Sequence, residues 1–160
     1  MKFLEVNNLD IEYQTRKETI YASKNVSFNL QRGEIIGIVG ESGSGKSTVA
    51  NAIINLIDKP GIITNGSIKL DGGELHNDTD IIKNIRGKKI GFIFQDPQTS
   101  LNPLFKIRDQ LIETIQTHSD LNFKEAESKS INLLREVGIE NPEKRINDYP
   151  HQFSGGMRQR

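Results

Sequence analysis

Several residue types and patterns are missing from this chain, and each absence excludes a class of protein. There is no cysteine among the 160 residues, which excludes disulfide frameworks, thiolate metal sites and cysteine nucleophiles from this stretch and fits a reducing cytoplasm. Charge of one sign is not in excess, because lysine plus arginine and aspartate plus glutamate both number 21. With no net charge and no block of like charges, the sequence gives a nucleic-acid role no electrostatic support.

Long hydrophobic runs are also absent. The longest, around residues 35–39, is far shorter than the roughly 20 residues that span a bilayer. The N-terminus, MKFLEVNNLD, has no apolar segment of the kind that signal peptides carry. We therefore expect no direct membrane insertion, so that any membrane association depends on a partner. The content of 34% hydrophobic and 26% charged residues is that of an ordinary folded domain.

The first part of the chain has the patterns of two kinds of strand. Residues 3–6, NVSFNL (with Val26, Phe28 and Leu30 facing inward) and GSIKLDGG alternate apolar and polar residues, which predicts half-buried strands of an antiparallel sheet. By contrast, EIIGIVG (residues 34–40) and KKIGFIFQ (residues 88–95) are apolar on both faces. That pattern predicts central parallel strands covered by helices.

Helical patterns begin between these strands and dominate after Asp96. STVANAIINLI (residues 47–57) is apolar all round and predicts a helix ended by DKPG. Ile107, Leu111 and Ile115 form one apolar stripe. Asn122 with Glu125 resembles a capping pair, and the helix that it starts would end at Gly138. The sequence thus predicts an α/β core at residues 1–96 and a helical segment at residues 97–160, with the boundary near DPQTSLNP.

The stretch GESGSGKST, residues 40–48, fits the GxxxxGK[ST] pattern of a phosphate-binding loop, with a predicted strand before it and a helix after it. Backbone N–H groups approach phosphates closely where Cβ atoms are absent, hence Gly40, Gly43 and Gly45, and the helix directs its positive dipole end at the same anion. Lys46 would reach the β- and γ-phosphates, and the Ser47 hydroxyl would ligate Mg²⁺. The alternative is a glycine-rich turn with an incidental lysine.

Two further segments are candidates for function. Gln95 ends a predicted buried strand and precedes DPQTSLNP, which is rich in turn formers. Two alternatives are that Asp96 is the magnesium-binding acid of that strand and that Gln95 is a loop residue with no functional role. In FSGGMRQR, Ser154 is a good N-cap, and a helix beginning there would present a second anion-binding end or serve as a plain cap.

The order GESGSGKST, FQDPQTSLNP and YPHQFSGGMRQR resembles the nucleotide-binding subunits of ATP-binding cassette (ABC) transporters, and more narrowly those of the oligopeptide, dipeptide and nickel importers. The resemblance covers the whole chain. It implies a P-loop NTPase core of the ABC ATPase type with a small antiparallel β-subdomain and a helical subdomain, bound to ATP and Mg²⁺ and dimerised with a second ATPase subunit. It also implies transmembrane permease partners and a peripheral location on the cytoplasmic face of the cell membrane.

The resemblance assigns roles to individual residues. It makes Lys46 and Gln95 catalytic, with Gln95 in a loop that touches Mg²⁺ and the attacking water, so that Ser47 and Gln95 serve the metal. The whole glycine-rich loop is assigned to the nucleotide: Gly40, Glu41, Ser42, Gly43, Ser44, Gly45, Lys46, Ser47 and Thr48. The signature motif, which binds ATP held on the opposite subunit, is assigned to Ser154, Gly155, Gly156 and Met157. Phe153 and Met157 depart from the general LSGGQ pattern and match the peptide-importer variant.

An aromatic residue that stacks on adenine is also implied. Tyr13 precedes the strand that leads to the glycine-rich loop and matches this position, with Tyr21 as the rival; either tyrosine could instead pack on the small sheet. Such a platform contributes about 1 kcal/mol.

In the same family the signature helix is followed by an apolar strand ending in Asp, a water-polarising Glu and a switch His. None of these three is present in this sequence. The only histidines, His76, His118 and His151, precede or adjoin the signature, so none of them can be the switch residue. Surface or structural roles suit them better. We expect a cassette domain truncated within its signature helix, lacking strands of its sheet and inactive alone. Two alternatives remain: a non-transport ABC ATPase, and a non-catalytic module that occupies a transporter interface.

Overall fold

The computed structural model describes residues 2–75 and 79–160 and divides into two compact units, Met1–Ile90 and Gly91–Arg160. The first unit combines a β-sheet with helices, and the second is built from helices. Among the described helices, none has both the length and the apolar character needed to cross a bilayer.

The first unit is organised around a four-stranded antiparallel sheet with strand order β2-β1-β3-β4. Its strands are β1 (Lys2–Gln14), β2 (Thr19–Gln31), β3 (Gly61–Leu70) and β4 (Gly73–Glu74). The strands predicted at residues 3–6, in NVSFNL and in GSIKLDGG are confirmed, and the first two extend well beyond the predicted stretches. Val26, Phe28 and Leu30 pack against the buried core as their alternation predicts.

The helix α1 (Lys46–Ile53) packs on this sheet. Its Val49 and Ala52 are buried in one cluster with Leu9, Ile11 and Ile68 of the sheet. The helix is shorter than the predicted residues 47–57, because Asn55 adopts a left-handed conformation with φ of 51° and turns the chain away. The next helix, α2 (Thr79–Ile85), contributes Ile82 and Ile85 to the same core.

The strand β2 carries a bulge beside α1. Ile11 pairs with Ser23 and Glu12 pairs with Tyr21, so that two steps along β2 match one step along β1. Ala22 is the extra residue and has no partner on β1. A bulge bends its strand and frees a backbone group from the ladder, which matters for the site described below.

The second unit contains α3 (Ile107–His118), α4 (Phe123–Glu136), α5 (Pro142–Arg145) and α6 (Gly155–Gln159), with 3₁₀ turns at Pro97–Ser100 and Pro150–Gln152. Its buried core consists of Ile107, Leu134, Ile139, Ile146 and Phe153. The predicted start and end of α4 are confirmed.

Both ends of α4 follow local sequence rules. Asn122 accepts a hydrogen bond from the Glu125 N–H while the Glu125 carboxylate accepts one from the Asn122 N–H, which completes a capping box. At the other end, Gly138 has φ of 73°, the left-handed conformation that commonly follows a helix. The polar residues at one end and the glycine at the other therefore define this helix.

The two predicted parallel strands are wrong for the described part of the chain. Residues 34–40 and 88–95 form no strand, and the latter contributes only an isolated parallel bridge between Arg86 and Ile90. Ile35 is 96% exposed, Val39 92% and Ile93 86%. A strand requires a hydrogen-bonded neighbour, and none of the four described strands pairs with either run. Most of their apolar side chains are therefore exposed, whereas Ile90 packs against the core of the first unit.

Candidate functional site

The glycine-rich loop, residues 40–48, lies in the first unit and runs into the first turn of α1. Its Glu41, Ser42, Gly43 and Ser44 are exposed. The Ser44 N–H donates to the carbonyl oxygen of Glu41 at 3.2 Å, which folds the loop into a turn ahead of the helix.

Gly45 is the N-cap of α1 and has a backbone conformation that only glycine adopts easily. Its φ is 87° and its ψ is 4°, in the left-handed region. A Cβ at this position would lie 2.0 Å from the carbonyl oxygen of Ala22, the bulged residue of β2. The loop can therefore meet the sheet at this point only because residue 45 has no side chain.

The N-terminus of α1 is left open to an anion. No side chain caps it, and no acidic residue occupies its first turn. The first intrahelical bond from this end runs from the Val49 N–H to the Gly45 carbonyl at 2.9 Å, so the N–H groups of Lys46, Ser47 and Thr48 have no acceptor within the helix. These donors and the positive end of the helix dipole favour a bound phosphate.

Lys46 brings a positive charge to the same place. Its Nζ donates to the carbonyl oxygens of Gly40 at 2.8 Å and Glu41 at 2.7 Å, and to Ser44 Oγ at 3.3 Å. The ammonium group is thus held within the loop by two backbone carbonyls. A phosphate at the helix end would meet this charge at short range.

The space inside the loop fits a group that approaches the backbone closely. A Cβ at Gly40 would lie 2.7 Å from Ser44 Oγ, so a side chain there would occupy the space that the loop encloses. At Gly43, φ is 80° and a Cβ would meet nothing within 4 Å, which leaves that side of the loop open. The residues present fit a polyphosphate.

The metal expected at this site would find oxygen donors here. Ser47 is exposed and Thr48 half-buried in the first turn of α1. Within the described ranges, no group of three histidine, aspartate or glutamate side chains could hold a metal by itself. A hydroxyl ligand supplemented by phosphate oxygens and water suits Mg²⁺, which retains several waters in proteins.

The two candidate tyrosines lie in the first unit and differ in their surroundings. Tyr13 pairs with Ile20 on one side and Gly61 on the other, and is half-buried. A Cβ at Gly61 would lie 2.8 Å from Tyr13 Cε1, so the ring covers this glycine. By strand alternation, Tyr13 lies on the same face as the buried Ile11, which shares its core cluster with α1.

Tyr21 has a more exposed position. It pairs with Glu12, is 61% exposed and has Lys24 Nζ at 5.5 Å from its ring centre. Because Glu12 and Tyr13 point to opposite faces of β1, Tyr21 lies on the face opposite to Tyr13. Tyr13, and not Tyr21, therefore lies on the sheet face that packs against α1.

Gln95 and Asp96 lie in the second unit, ahead of the Pro97–Ser100 turn, and both side chains are exposed. The Asp96 carbonyl accepts hydrogen bonds from the Thr99 N–H at 3.3 Å and the Thr99 hydroxyl at 2.8 Å. These bonds form the turn that the composition of DPQTSLNP predicts. Gln95 therefore lies immediately before the residue whose carbonyl accepts the hydrogen bonds of this turn.

The predicted N-cap at Ser154 is confirmed. Ser154 has an extended backbone and its Oγ accepts from the Met157 N–H at 3.3 Å. Gly156 is exposed, and a Cβ there would meet nothing within 4 Å. Gly155 and Met157 are half-buried, and Met157 packs against the core of this unit. The thioether thus supports the fold, and the serine hydroxyl and Gly156 face solvent.

The histidines precede or adjoin the signature motif. His118 is the last residue of α3 and is half-buried, while His151 is exposed and stacks on Tyr149 with ring centres 5.6 Å apart. His76 lies outside the described residues. The surface or structural roles expected for the histidines stay a prediction.

Sequence reasoning missed the contribution of Ala22. Its role depends on the register between β1 and β2, which places an extra residue beside Gly45. An alanine within a strand carries no sequence signal of a bulge. Only the pairing of two distant segments shows that Ala22 limits residue 45 to glycine.

Comparison with known proteins finds a matching family model and relatives of similar sequence. A family model described as ABC transporter matches residues 23–160. The oligopeptide transport ATP-binding protein OppD of Bacillus subtilis (strain 168) is 45% identical over 99% of this chain and 45% of its own length. The dipeptide transport ATP-binding protein DppD of Escherichia coli (strain K12) is 39% identical over 100% of this chain and 49% of its own length.

The structure has a solved counterpart as well. The ATP-binding cassette MJ0796, in a dimeric post-hydrolysis state bound to ADP and Pi, matches with a TM-score of 0.83 and 33% identity, over 98% of this chain and 65% of that one. The chain spans about half the length of the curated relatives named above. The expected fold class is confirmed by this match.

Proposed function

Because the chain belongs to the ABC transporter family, we propose that its glycine-rich loop binds the phosphates of ATP and that the chain acts within the ATP-binding subunit of a peptide importer. ATP binding and hydrolysis in the complete subunit would drive solute uptake. The geometry of the loop supports the binding of phosphates, and the names of the relatives support the role in peptide import.

One observation carries the proposal: an uncapped helix N-terminus meets a lysine held inside a glycine-rich loop. The free N–H groups of Lys46, Ser47 and Thr48 and the ammonium of Lys46 converge on the end of α1. A plain turn would need neither an open helix end nor a lysine folded back into the loop. Both features favour a ligand with several negative charges, such as a nucleotide polyphosphate.

Mg²⁺ fits the proposed site, and when bound it neutralises negative charge on the phosphate oxygens. Ser47 would offer its hydroxyl to the metal. Lys46 would hold the β- and γ-phosphates in place. Tyr13 would stack on adenine from the sheet face that also carries α1, and the remaining loop residues would enclose the phosphates through their backbone.

The signature residues Ser154, Gly155, Gly156 and Met157 would act on the nucleotide of a second ATPase subunit. This proposal is supported by the solvent-facing Ser154 hydroxyl and the open backbone at Gly156. The MJ0796 cassette is dimeric, which agrees with a function that needs two subunits. Whether the second subunit is identical or a paralogue does not alter this role.

The transport assignment comes from the relatives. OppD and DppD are named as transport ATP-binding proteins for oligopeptides and dipeptides, and neither name supports nickel. A subunit of this kind would bind transmembrane permease subunits and sit at the cytoplasmic face of the membrane. We expect these 160 residues to bind nucleotide through the glycine-rich loop.

Titration calorimetry with Mg-ATP tests the nucleotide proposal. We expect the chain to bind Mg-ATP and the Lys46→Ala variant to lose measurable binding, because that change removes the only charged side chain of the loop that attracts phosphate. Lys17→Ala is the matched control: Lys17 is exposed in the β1–β2 turn and its loss should leave the affinity unchanged. Equal affinity of wild type and Lys46→Ala would remove the phosphate-binding role.

A further inference from the structure

Arg86, which no motif includes, is bonded to the end of the helix that follows the glycine-rich loop. Its Nε donates to the Ile54 carbonyl at 2.7 Å and its Nη2 donates to the Asn55 carbonyl at 2.6 Å. Ile54 is the C-cap of α1. Arg86 is half-buried, so these bonds are partly shielded from water and the guanidinium has a defined position.

The backbone around Arg86 forms a tight turn at residues 85–90. The Ile85 carbonyl accepts from the N–H groups of Lys89 at 2.8 Å and Ile90 at 3.1 Å. The Gly87 N–H donates to the Ile90 carbonyl at 2.9 Å. Ile85 is itself buried in the core. The guanidinium therefore projects from a segment that is held by its own backbone hydrogen bonds and by the core.

These contacts hold α1 at both ends. At the N-terminal end, Gly45 abuts the Ala22 carbonyl, and along the helix Val49 and Ala52 pack in the core. Core packing holds the middle of the helix, and the two hydrogen bonds from Arg86 hold its C-terminal end. A helix of eight residues is only about 12 Å long and moves as one rigid element. A shift at Ile54 is therefore transmitted to Lys46.

We propose that Arg86 is a positioning residue that sets the place of α1 and, through it, of the nucleotide-binding loop at the opposite end. This inference rests on the nucleotide binding proposed above. The positive guanidinium also lies at the negative end of the helix dipole. This placement stabilises α1, because a cation interacts favourably with the C-terminal end of a helix.

Arginine suits this task better than lysine. Its planar fork offers two donors in fixed geometry and reaches two successive carbonyls at once. Lysine would offer one point of contact on a flexible stem. Arg86→Lys should therefore restore the position of α1 only in part, and Arg86→Met, which keeps much of the apolar stem, should lose it.

The test combines amide chemical shifts in the nucleotide-free chain with Mg-ATP affinity. In Arg86→Met we expect the N–H signals of Gly43, Gly45 and Lys46 to move, although the changed side chain lies at the other end of α1. The affinity should fall about 10-fold, a factor that corresponds to about 1.4 kcal/mol. Arg86→Lys should give smaller shifts and a smaller loss of affinity.

Arg32→Met is the matched control. Arg32 lies elsewhere in the same unit, and its Nη2 donates to both carboxylate oxygens of Asp71, at 2.7 and 2.8 Å. Its loss should change neither the loop signals nor the affinity. Signal changes in Arg86→Met confined to residues 52–56, with unchanged affinity, would show a purely local role and overturn the proposal.

The outcomes separate this inference from the proposed function. If the wild-type chain binds no Mg-ATP, the proposed function fails, and movement of the loop signals still decides the role of Arg86. If Arg86→Met does not fold, Arg86→Lys decides: loop signals and affinity identical to those of the wild type would overturn the proposal.

Discussion

The carbonyl oxygen of Ala22 lies 2.0 Å from the point that a Cβ on residue 45 would occupy. Ala22 is the extra residue of a β-bulge, and Gly45 is the N-cap of α1. The bulge thereby brings a sheet strand against the start of the helix at a distance that only glycine tolerates. This contact fixes where α1 begins and where its free N–H groups point.

Replacement of Gly45 by alanine should displace the helix start. The added Cβ would collide with the backbone of β2 and would strain a residue whose φ is 87°. We expect lower thermal stability and loss of Mg-ATP binding, measured by calorimetry of unfolding and of nucleotide binding.

Gly43→Ala separates the collision from the backbone strain. Gly43 also has positive φ, at 80°, but nothing lies within 4 Å of a Cβ there. Strain alone should cost about 1–2 kcal/mol and leave the start of α1 in place. If Gly45→Ala were no more harmful than Gly43→Ala, the Ala22 contact would not determine the helix start.

Tyr13 should contribute to nucleotide affinity through its ring and not through its hydroxyl. Tyr13→Phe keeps the stacking surface and should keep the affinity for ATP, whereas Tyr13→Ala should weaken it by about 1 kcal/mol. Tyr21→Ala should have no effect, because Tyr21 lies on the opposite face of the sheet. Equal losses in Tyr13→Phe and Tyr13→Ala, or a loss in Tyr21→Ala alone, would contradict stacking by Tyr13.

A pH-dependent contact joins α4 to α5. The pKa of Glu143 is lowered, first by a hydrogen bond from its own backbone N–H at the start of α5 and then by one from the Arg135 guanidinium. Arg135→Met should therefore raise the pKa of Glu143. Titration of the side-chain carboxyl signal by NMR measures this change, and an unchanged pKa would show that Arg135 has no influence.

The sign of the stability effect follows from the same lowered pKa. The folded chain binds fewer protons at Glu143 than the unfolded chain does, so the contribution is fully present above the unfolded pKa. It is lost as the pH falls through the folded pKa. Glu143→Gln should remove this dependence, and the effect should be small because the group is exposed.

Features set by neighbouring residues were predictable from the sequence. The capping box of Asn122 and Glu125, the stop at Gly138 and the N-cap of Ser154 all act within one turn of the chain. The alternation of Val26, Phe28 and Leu30 predicted a half-buried strand for the same reason. Short-range rules suffice where both partners of an interaction are close in sequence.

Features set by distant segments were not predictable. The runs at residues 34–40 and 88–95 have strand-like composition, but a strand also needs a neighbour, and among the described segments the only pairing is the isolated bridge between Ile90 and Arg86. The hydrogen bonds from Arg86 to the end of α1 join residues from separate elements. The bulge at Ala22 likewise depends on register. None of these follows from a local pattern.

The central claim is that the glycine-rich loop binds the phosphates of ATP. The most direct measurement follows the amide signals of the chain during titration with Mg-ATP, and with adenosine as the phosphate-free control. We predict that the signals of Gly43, Gly45, Lys46 and Ser47 move with Mg-ATP and stay in place with adenosine. Unmoved loop signals at saturating Mg-ATP, or equal movement with adenosine, would contradict the claim.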